Sequence, residues 1–338
     1  MPPTGERARI IQVHPSRRCN LSCRHCYSLS GPSERDRLGV PLLRQVIADA
    51  AALGYNIASF SGGEPTIYPY LADLLDAAHH AGMTTAAVSN GMTLTDSRLG
   101  ALRGRLDLLA ISLDGTPESH NRMRGSPRAF ESMAARLPAL RATGIPFGFI
   151  FTLTQSNLDE LSWVAEFACR EGAALLQVHP LEEVGRAREM LSGAEPDDME
   201  RAFAWVSVAA LRDQYAGRMG IQLDLVDAAA LRASPAAVFA DDLVRPPETY
   251  QLADVLSPLI VEPDGTVAPL FYGFPRSLCL GNLEQSPLPI LASRWQQERC
   301  SEFRRICRRV FEQQAGSPAL PIFNWYRAIA EAAGATVG

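Results

Sequence analysis

Cys19-Asn20-Leu21-Ser22-Cys23-Arg24-His25-Cys26-Tyr27 holds three of the chain's seven cysteines within eight residues, spaced CxxxCxxC. Thiolates this close suit one metal centre or cluster, because a single loop can wrap it. Cys19, Cys23 and Cys26 would fill three corners of a cubane [4Fe–4S] cluster and leave one iron open to a substrate or cofactor. Zinc is the other candidate; it takes four ligands, and His25 or His14 is placed to supply the fourth. A disulfide needs an oxidising compartment. Residues 1–7 carry no apolar signal segment, so the expectation is a reducing cytoplasm.

Outward from this loop the chain alternates. Residues 9–14 read as a strand stopped by Pro15, so the cysteines follow a strand's C-terminal end. Pro41 opens a helix to about residue 53. A second strand, Ile57–Phe60, runs into Ser61-Gly62-Gly63-Glu64-Pro65. Two glycines let backbone approach a ligand closely, and Glu64 suits an ammonium group; the same residues also make an ordinary turn with an acidic helix start. Next come a helix over 68–81, a strand Thr84–Ser89 ending at Asn90-Gly91, a helix over 94–102 and a strand over 106–113 ending Ser112-Leu113-Asp114-Gly115. The Asn-Gly and Asp-Gly pairs are strong turn formers in their own right. A helix over 128–142, a strand over 146–153, a helix over 157–169 and a strand over 174–179 complete the series. Gln177 and His179 then stand at the mouth. Six βα units at this spacing predict a parallel barrel with its chemistry at the C-terminal ends of the strands.

These residues together resemble the radical S-adenosylmethionine (radical SAM) enzymes, whose signature is CxxxCxφC with φ usually aromatic. His25 takes the φ place. The run His14-Pro15-Ser16-Arg17-Arg18-Cys19-Asn20-Leu21 and the following Tyr27 resemble the branch with a further C-terminal domain, called SPASM or twitch. The resemblance implies that the open iron chelates the amino and carboxylate groups of SAM. It implies that an electron from the cluster cleaves SAM to methionine and a 5′-deoxyadenosyl radical, which takes hydrogen from a substrate carbon. It further implies SAM contacts from His25, Tyr27, Gly62, Gly63, Glu64, Ser89, Asn90, Ser112, Asp114, Arg124, Gln177 and His179. Arg124, within His120-Asn121-Arg122-Met123-Arg124-Gly125-Ser126, has the fork that suits a carboxylate; the alternative is an exposed loop arginine. A flavodoxin- or ferredoxin-type reductant is the implied electron source.

Beyond the barrel, a helix over 197–214 and a strand over 221–226 are expected, then a mixed stretch with Pro246-Pro247 as a linker. Residues 259–270 read as a hairpin on Pro263-Asp264-Gly265. With Gly281-Asn282-Leu283 and Trp295 it resembles the start of a SPASM or twitch domain. The departures are as informative. Leu270 stands where that family carries a cysteine, and Cys307-Arg308-Arg309-Val310 keeps only the first cysteine of a CxxC. Cys279, Cys300 and Cys307 are what remains for an auxiliary cluster. Cys279 is the candidate for donating a hydrogen atom to a substrate radical. The expected architecture is α/β: a partial (β/α)6 TIM-type barrel over 1–220, a bridging segment over 221–254 and a small α+β SPASM/twitch-like domain with C-terminal helices over 255–338.

Composition bounds the function. The formal net charge of −5 argues against nucleic acid held by general electrostatics. No apolar run approaches the ~20 residues needed to cross a bilayer. All 32 basic residues are arginine, so no side chain can form the lysine Schiff base that pyridoxal phosphate chemistry uses. Two substrate classes follow from the resemblance. One is a small natural product (a sugar, nucleoside or amino acid) undergoing epimerisation, decarboxylation or dehydrogenation. The other is a ribosomally made peptide, which the absence of a preceding peptide-binding domain disfavours. A non-catalytic iron–sulfur electron carrier or sensor is the third reading.

Overall fold

The computed structural model describes residues 7–233, 251–316 and 322–334. Most of the expected linker, Pro246-Pro247 included, lies outside the described residues. Seven strands pair in parallel in chain order: β1 (Ile10–Val13), β2 (Ile57–Phe60), β3 (Thr84–Ser89), β4 (Leu108–Ser112), β5 (Phe147–Leu153), β6 (Leu175–Pro180) and β7 (Gly220–Leu223). Helices on the sheet's outer side connect them, as parallel pairing requires. In the first, Val40–Ala52, Pro41 sits in the opening turn and the buried set Leu43, Val46, Ile47 and Ala50 recurs at helical spacing. That stripe packs on the sheet's helix-covered face, where Ile11, Val13, Ala58 and Phe60 are fully buried.

The helix expected over 128–142 is two helices, Ala129–Ala134 and Leu137–Thr143. Pro138 has no N–H to continue the first, and instead falls in the opening turn of the second. Residues 117–124, read from sequence as a segment without assigned structure, form a helix with Pro117 at its start and Gly125 closing it in the left-handed region at φ 66°. The strand expected over 221–226 is divided into β7 and a short β8 (Val226–Asp227), which pairs with residues 322–323.

The hairpin near the C-terminus joins the main sheet. Its first strand, β9 (Leu259–Val261), lies parallel to β1, with Ile11 opposite Leu259 and Val13 opposite Val261. β10 (Thr266–Pro269) turns back on β9, and β11 (Gly281–Asn282) adds at the edge, giving ten strands in one sheet. This C-terminal hairpin is therefore built onto the strand that launches the cysteine loop.

Close backbone packing holds that loop to the rim of the sheet. The Gly63 N–H donates to the Ser16 carbonyl at 2.9 Å, and the Glu64 N–H to the Arg18 carbonyl at 3.0 Å. Gly62 sits at φ 107°, and a Cβ there would stand 2.8 Å from the Ser16 carbonyl oxygen; a Cβ on Gly63 would collide with that of Arg18. The glycine pair is required by the loop that crosses it, before any ligand is considered. Gly63→Ala should destabilise the protein by about 2 kcal/mol or more, since the obstacle is backbone. Gly100→Ala, in an exposed helical position with nothing within 4 Å of the added methyl, should stabilise it by about 0.5–1 kcal/mol. Chemical denaturation of both variants measures the contrast. A neutral Gly63→Ala would mean the loop is not docked this way.

Candidate functional site

Cys19 and Cys23 are buried and Cys26 half-buried, and the three pack together with Leu21 and Met92. Every sulfur faces an N–H donor. Cys19 has the Leu21 backbone at 3.4 Å and the Asn90 amide at 3.9 Å; Cys23 has Arg124 Nη1 at 3.8 Å; Cys26 has the Ser30 backbone at 3.3 Å. Donors of this kind favour thiolate over thiol. Burial works the other way, pushing Cys19 up to about 12 and raising Cys23. A bound positive centre would reverse the balance, as it does for coordinating thiols generally. The donor set fits an iron–sulfur cluster held by three thiolates. For zinc, the fourth ligand would have to be His25 or His14. His25, one proposed fourth ligand, has its Nε2 3.9 Å from Asp114.

Arg124 is not an exposed loop residue. It ends the helix Pro117–Arg124, is buried, and donates from Nε to Asp114 Oδ2 at 2.6 Å. Burial alone would raise the Asp114 carboxyl, yet the Arg124 guanidinium, with His25 and His120 beside it, holds it at about 2. Burial opposes charge on Arg124 too, but Asp114 and Cys23 raise its pKa above the ordinary value. His120 accepts the Asp114 backbone N–H on Nδ1 at 3.1 Å. Burial pushes His25 down to about 4 and His120 to about 3, so both rings are neutral. Asp114 Oδ1 is buried with no hydrogen-bond partner among the described residues. Orphaned polar atoms of this sort call for a ligand or water.

A cavity of about 630 Å³ opens beside the cysteines, within the usual range for a small-molecule site. Its lining brings together most of the expected residues: Cys19, Cys23, Cys26, His25, Tyr27, Gly62, Gly63, Ser89, Asn90, Ser112, Arg124, Gln177 and His179. Three do not line it. The Glu64 carboxylate is buried behind the wall, accepting from Thr66 N (3.0 Å), Thr66 Oγ1 (2.6 Å), Ser89 Oγ (2.9 Å) and Asn90 N (2.8 Å). It ties the end of β2 to that of β3, and is committed before any ammonium arrives. Asp114 is fully buried and reaches the wall only through Arg124 and His25. Cys279 is half-buried, its sulfur near the Phe274 and Pro275 carbonyls at 3.7 and 3.8 Å, and burial pushes its thiol up to about 11. Off the cavity wall, it lacks the access a hydrogen-atom donor needs.

Other functional positions were hidden from sequence reasoning. Tyr272, brought in after β10, stacks on His14 with centroids 5.2 Å apart, and Tyr27 packs on both. His14 is fully buried with neither ring nitrogen partnered among the described residues, and burial pushes it down to about 3. Asp224, just beyond β7, joins Gln177 and His179. Arg186 secures the cysteine loop, donating to the Cys23 carbonyl at 2.6 Å and the Ser30 carbonyl at 3.0 Å, while its own N–H reaches the Cys26 carbonyl at 2.9 Å. The only signal in the sequence was position: Arg186 follows the sixth strand and Asp224 follows the seventh.

Residues 13–168 match the family model described as the Radical SAM superfamily. Among curated proteins, the chain is 32% identical over 200 residues to an AdoMet-dependent heme synthase of Methanosarcina barkeri (strain Fusaro / DSM 804), covering 58% of this chain and 57% of that one. It is 33% identical over 195 residues to a PqqA peptide cyclase of Ruegeria pomeroyi (strain ATCC 700808 / DSM 15171 / DSS-3), covering 55% and 52%. The chain thus spans about half the length of the curated relatives it matches. Streptococcus suis SuiB bound to S-adenosylmethionine shares the fold at TM-score 0.67 and 15% identity, over 88% of this chain and 68% of that one. So does anSMEcpe with bound AdoMet and Cp18Cys peptide, at TM-score 0.64 and 16% identity, over 97% of each.

Arg186→Ala should lower stability by about 2 kcal/mol, since charged donors to carbonyls contribute about 1.5–3 kcal/mol each and part is recovered by water. It should also bring Cys19, Cys23 and Cys26 into the fast phase of a thiol-reagent titration on metal-free protein. Arg186→Lys should not rescue, because an ammonium lacks the fork that reaches both carbonyls. Unchanged thiol kinetics would remove Arg186 from this role.

Proposed function

We propose that the chain, which matches the Radical SAM superfamily model over residues 13–168, is an enzyme holding a [4Fe–4S] cluster on Cys19, Cys23 and Cys26 with S-adenosylmethionine beside it. The observation that carries this reading is the set of three sulfurs, two buried and one half-buried, each met by an N–H donor and opening onto a cavity of about 630 Å³. When bound, the cluster supplies the electron for reductive cleavage of SAM and hence for hydrogen abstraction from a substrate carbon. The protein's own residues bind, orient and shield. Arg124, fixed by Asp114, presents a guanidinium to the cavity and suits a carboxylate. Asn90 and Ser89 are held at the rim by Glu64, Ser112 lies at the end of β4, and Gly62 and Gly63 leave backbone exposed to the ligand. Leu270, Phe271 and Tyr272 form an apolar wall that keeps water from a reactive carbon. A flavodoxin- or ferredoxin-type protein is the reductant in this scheme.

The substrate is a small natural product, or one residue of a longer chain reaching in, since the cavity must also take the cofactor. The peptide alternative has support of its own: relatives include a PqqA peptide cyclase and the sporulation killing factor maturation protein SkfB of Bacillus subtilis (strain 168).

Anaerobically reconstituted protein should carry about four irons and form 5′-deoxyadenosine from SAM and dithionite. Cys23→Ala should abolish both. About eight irons would place a second cluster on the C-terminal cysteines, and zinc without deoxyadenosine would overturn the assignment.

A further inference from the structure

Part of the cavity wall comes from β6, β7 and residues 324–326, and four polar side chains converge there. Asp224 Oδ2 accepts from Gln177 Nε2 at 2.6 Å and pairs with His179 Nδ1 at 3.0 Å. Its Oδ1 accepts from Gln222 Nε2 at 2.8 Å. Two glutamines and a carboxylate thus orient one imidazole. This fixes the ring so that Nδ1 carries hydrogen toward Asp224. None of the described residues supplies a partner for Nε2, and the His179 side chain, 38% exposed, lines the cavity.

The charge state follows from the neighbours. Burial opposes protonation, but the hydrogen bond to Asp224, with Glu182 nearby, holds His179 at about 9. Glu182 is itself engaged by Asn324 Nδ2 at 3.0 Å. Tyr326, from the adjoining helix, faces Asp224 and has its hydroxyl on the Ser257 carbonyl at 3.4 Å. Near neutral pH both imidazole nitrogens carry hydrogen, and Nε2–H is a charged donor lacking an acceptor. A purely structural His–Asp pair has no need of this exposure or of two supporting amides.

We propose that His179, oriented by Asp224, determines substrate specificity by donating Nε2–H to a carbonyl or carboxylate oxygen of the substrate, beside Trp325 and Tyr326. The inference rests on the reading of the site given above and names the substrate class: a molecule with an acceptor oxygen within reach of the carbon to be attacked. SAM carries a carboxylate too, so the test must separate the two sources.

The probe is N-acetylglycine, which offers both a carbonyl and a carboxylate. Reconstituted protein is labelled with 13Cε1-histidine, and its six histidines are resolved by NMR, with His179 assigned by its absence in the variant. In wild type, N-acetylglycine added with SAM present should shift the His179 signal saturably. His179→Asn keeps a donor where Nδ1 stands and removes Nε2; Asp224→Asn removes the orienting charge. Each should weaken binding of the probe, read from the remaining cavity signals, by about tenfold or more. No saturable shift, or equal binding in both variants, overturns the proposal. So does an equal shift with SAM alone, which would assign Nε2 to the cofactor. Deoxyadenosine formation is measured on the same wild-type sample. Probe binding without SAM cleavage would refute the enzymatic reading and leave the subsite standing.

Discussion

The site depends on holding one irregular loop, residues 15–31, against the C-terminal ends of a parallel sheet. Its backbone is touched by glycines from three other loops. Gly62 and Gly63 meet Ser16 and Arg18, Gly125 stands against the Ser22 carbonyl, and Gly185 at φ 58° stands against the Cys26 and Tyr27 carbonyls. Each contact is a place where a side chain would push the loop away. Arg186 then fastens the Cys23 and Ser30 carbonyls, in the middle of the cysteine run and just beyond it. Three thiols on a free loop would have to be ordered at a cost of about 1–2 kcal/mol for every residue fixed. Here the contacts with the neighbouring loops offset that cost.

Electrostatics sets the second constraint. A buried arginine within reach of a sulfur is costly unless paired. Asp114 pairs it, and the two neutral imidazoles of His25 and His120 complete the surround without adding charge. Cys23 is thereby offered a positive partner that cannot wander toward solvent. The carboxylates near the site divide into those buried for structure and those facing the cavity. Glu64 and Asp114 are consumed by their neighbours, whereas Asp224 sits on the wall and orients a histidine.

Much of this was legible in the sequence, and the boundary is physical. Strand periodicity, the turn glycines and the cysteine spacing are local signals, so the parallel βα order and the rim location of Cys19, Cys23 and Cys26 could be read directly. Which way a side chain turns at a strand end is decided by packing. Glu64 and Asp114 look like ligand contacts in one dimension and lie buried behind the cavity wall, hydrogen-bonded to their neighbours. Arg124 looks equally like a loop residue and is buried by a helix that Pro117 starts and Gly125 ends. Cys279 drew attention for its chemistry alone; its surroundings, set by a backbone turn 17 residues before Trp295, whose indole N–H bonds the Leu278 carbonyl at 2.8 Å, keep it off the cavity. Arg186 and Asp224 act only through contacts of long sequence separation, which no local pattern announces.

The C-terminal hairpin makes the same point from the other direction. Its attachment to β1 means that anything following β10 is delivered to the strand that carries His14 and the cysteines. At Leu270, where the resembling family has a cysteine, the backbone adopts φ 66°. A left-handed leucine costs about 1 kcal/mol or more, and that strain turns the chain so that Leu270, Phe271 and Tyr272 all line the cavity. Tyr272 then closes on His14 by stacking. In this chain the segment contributes an apolar stretch of wall to the site beneath it.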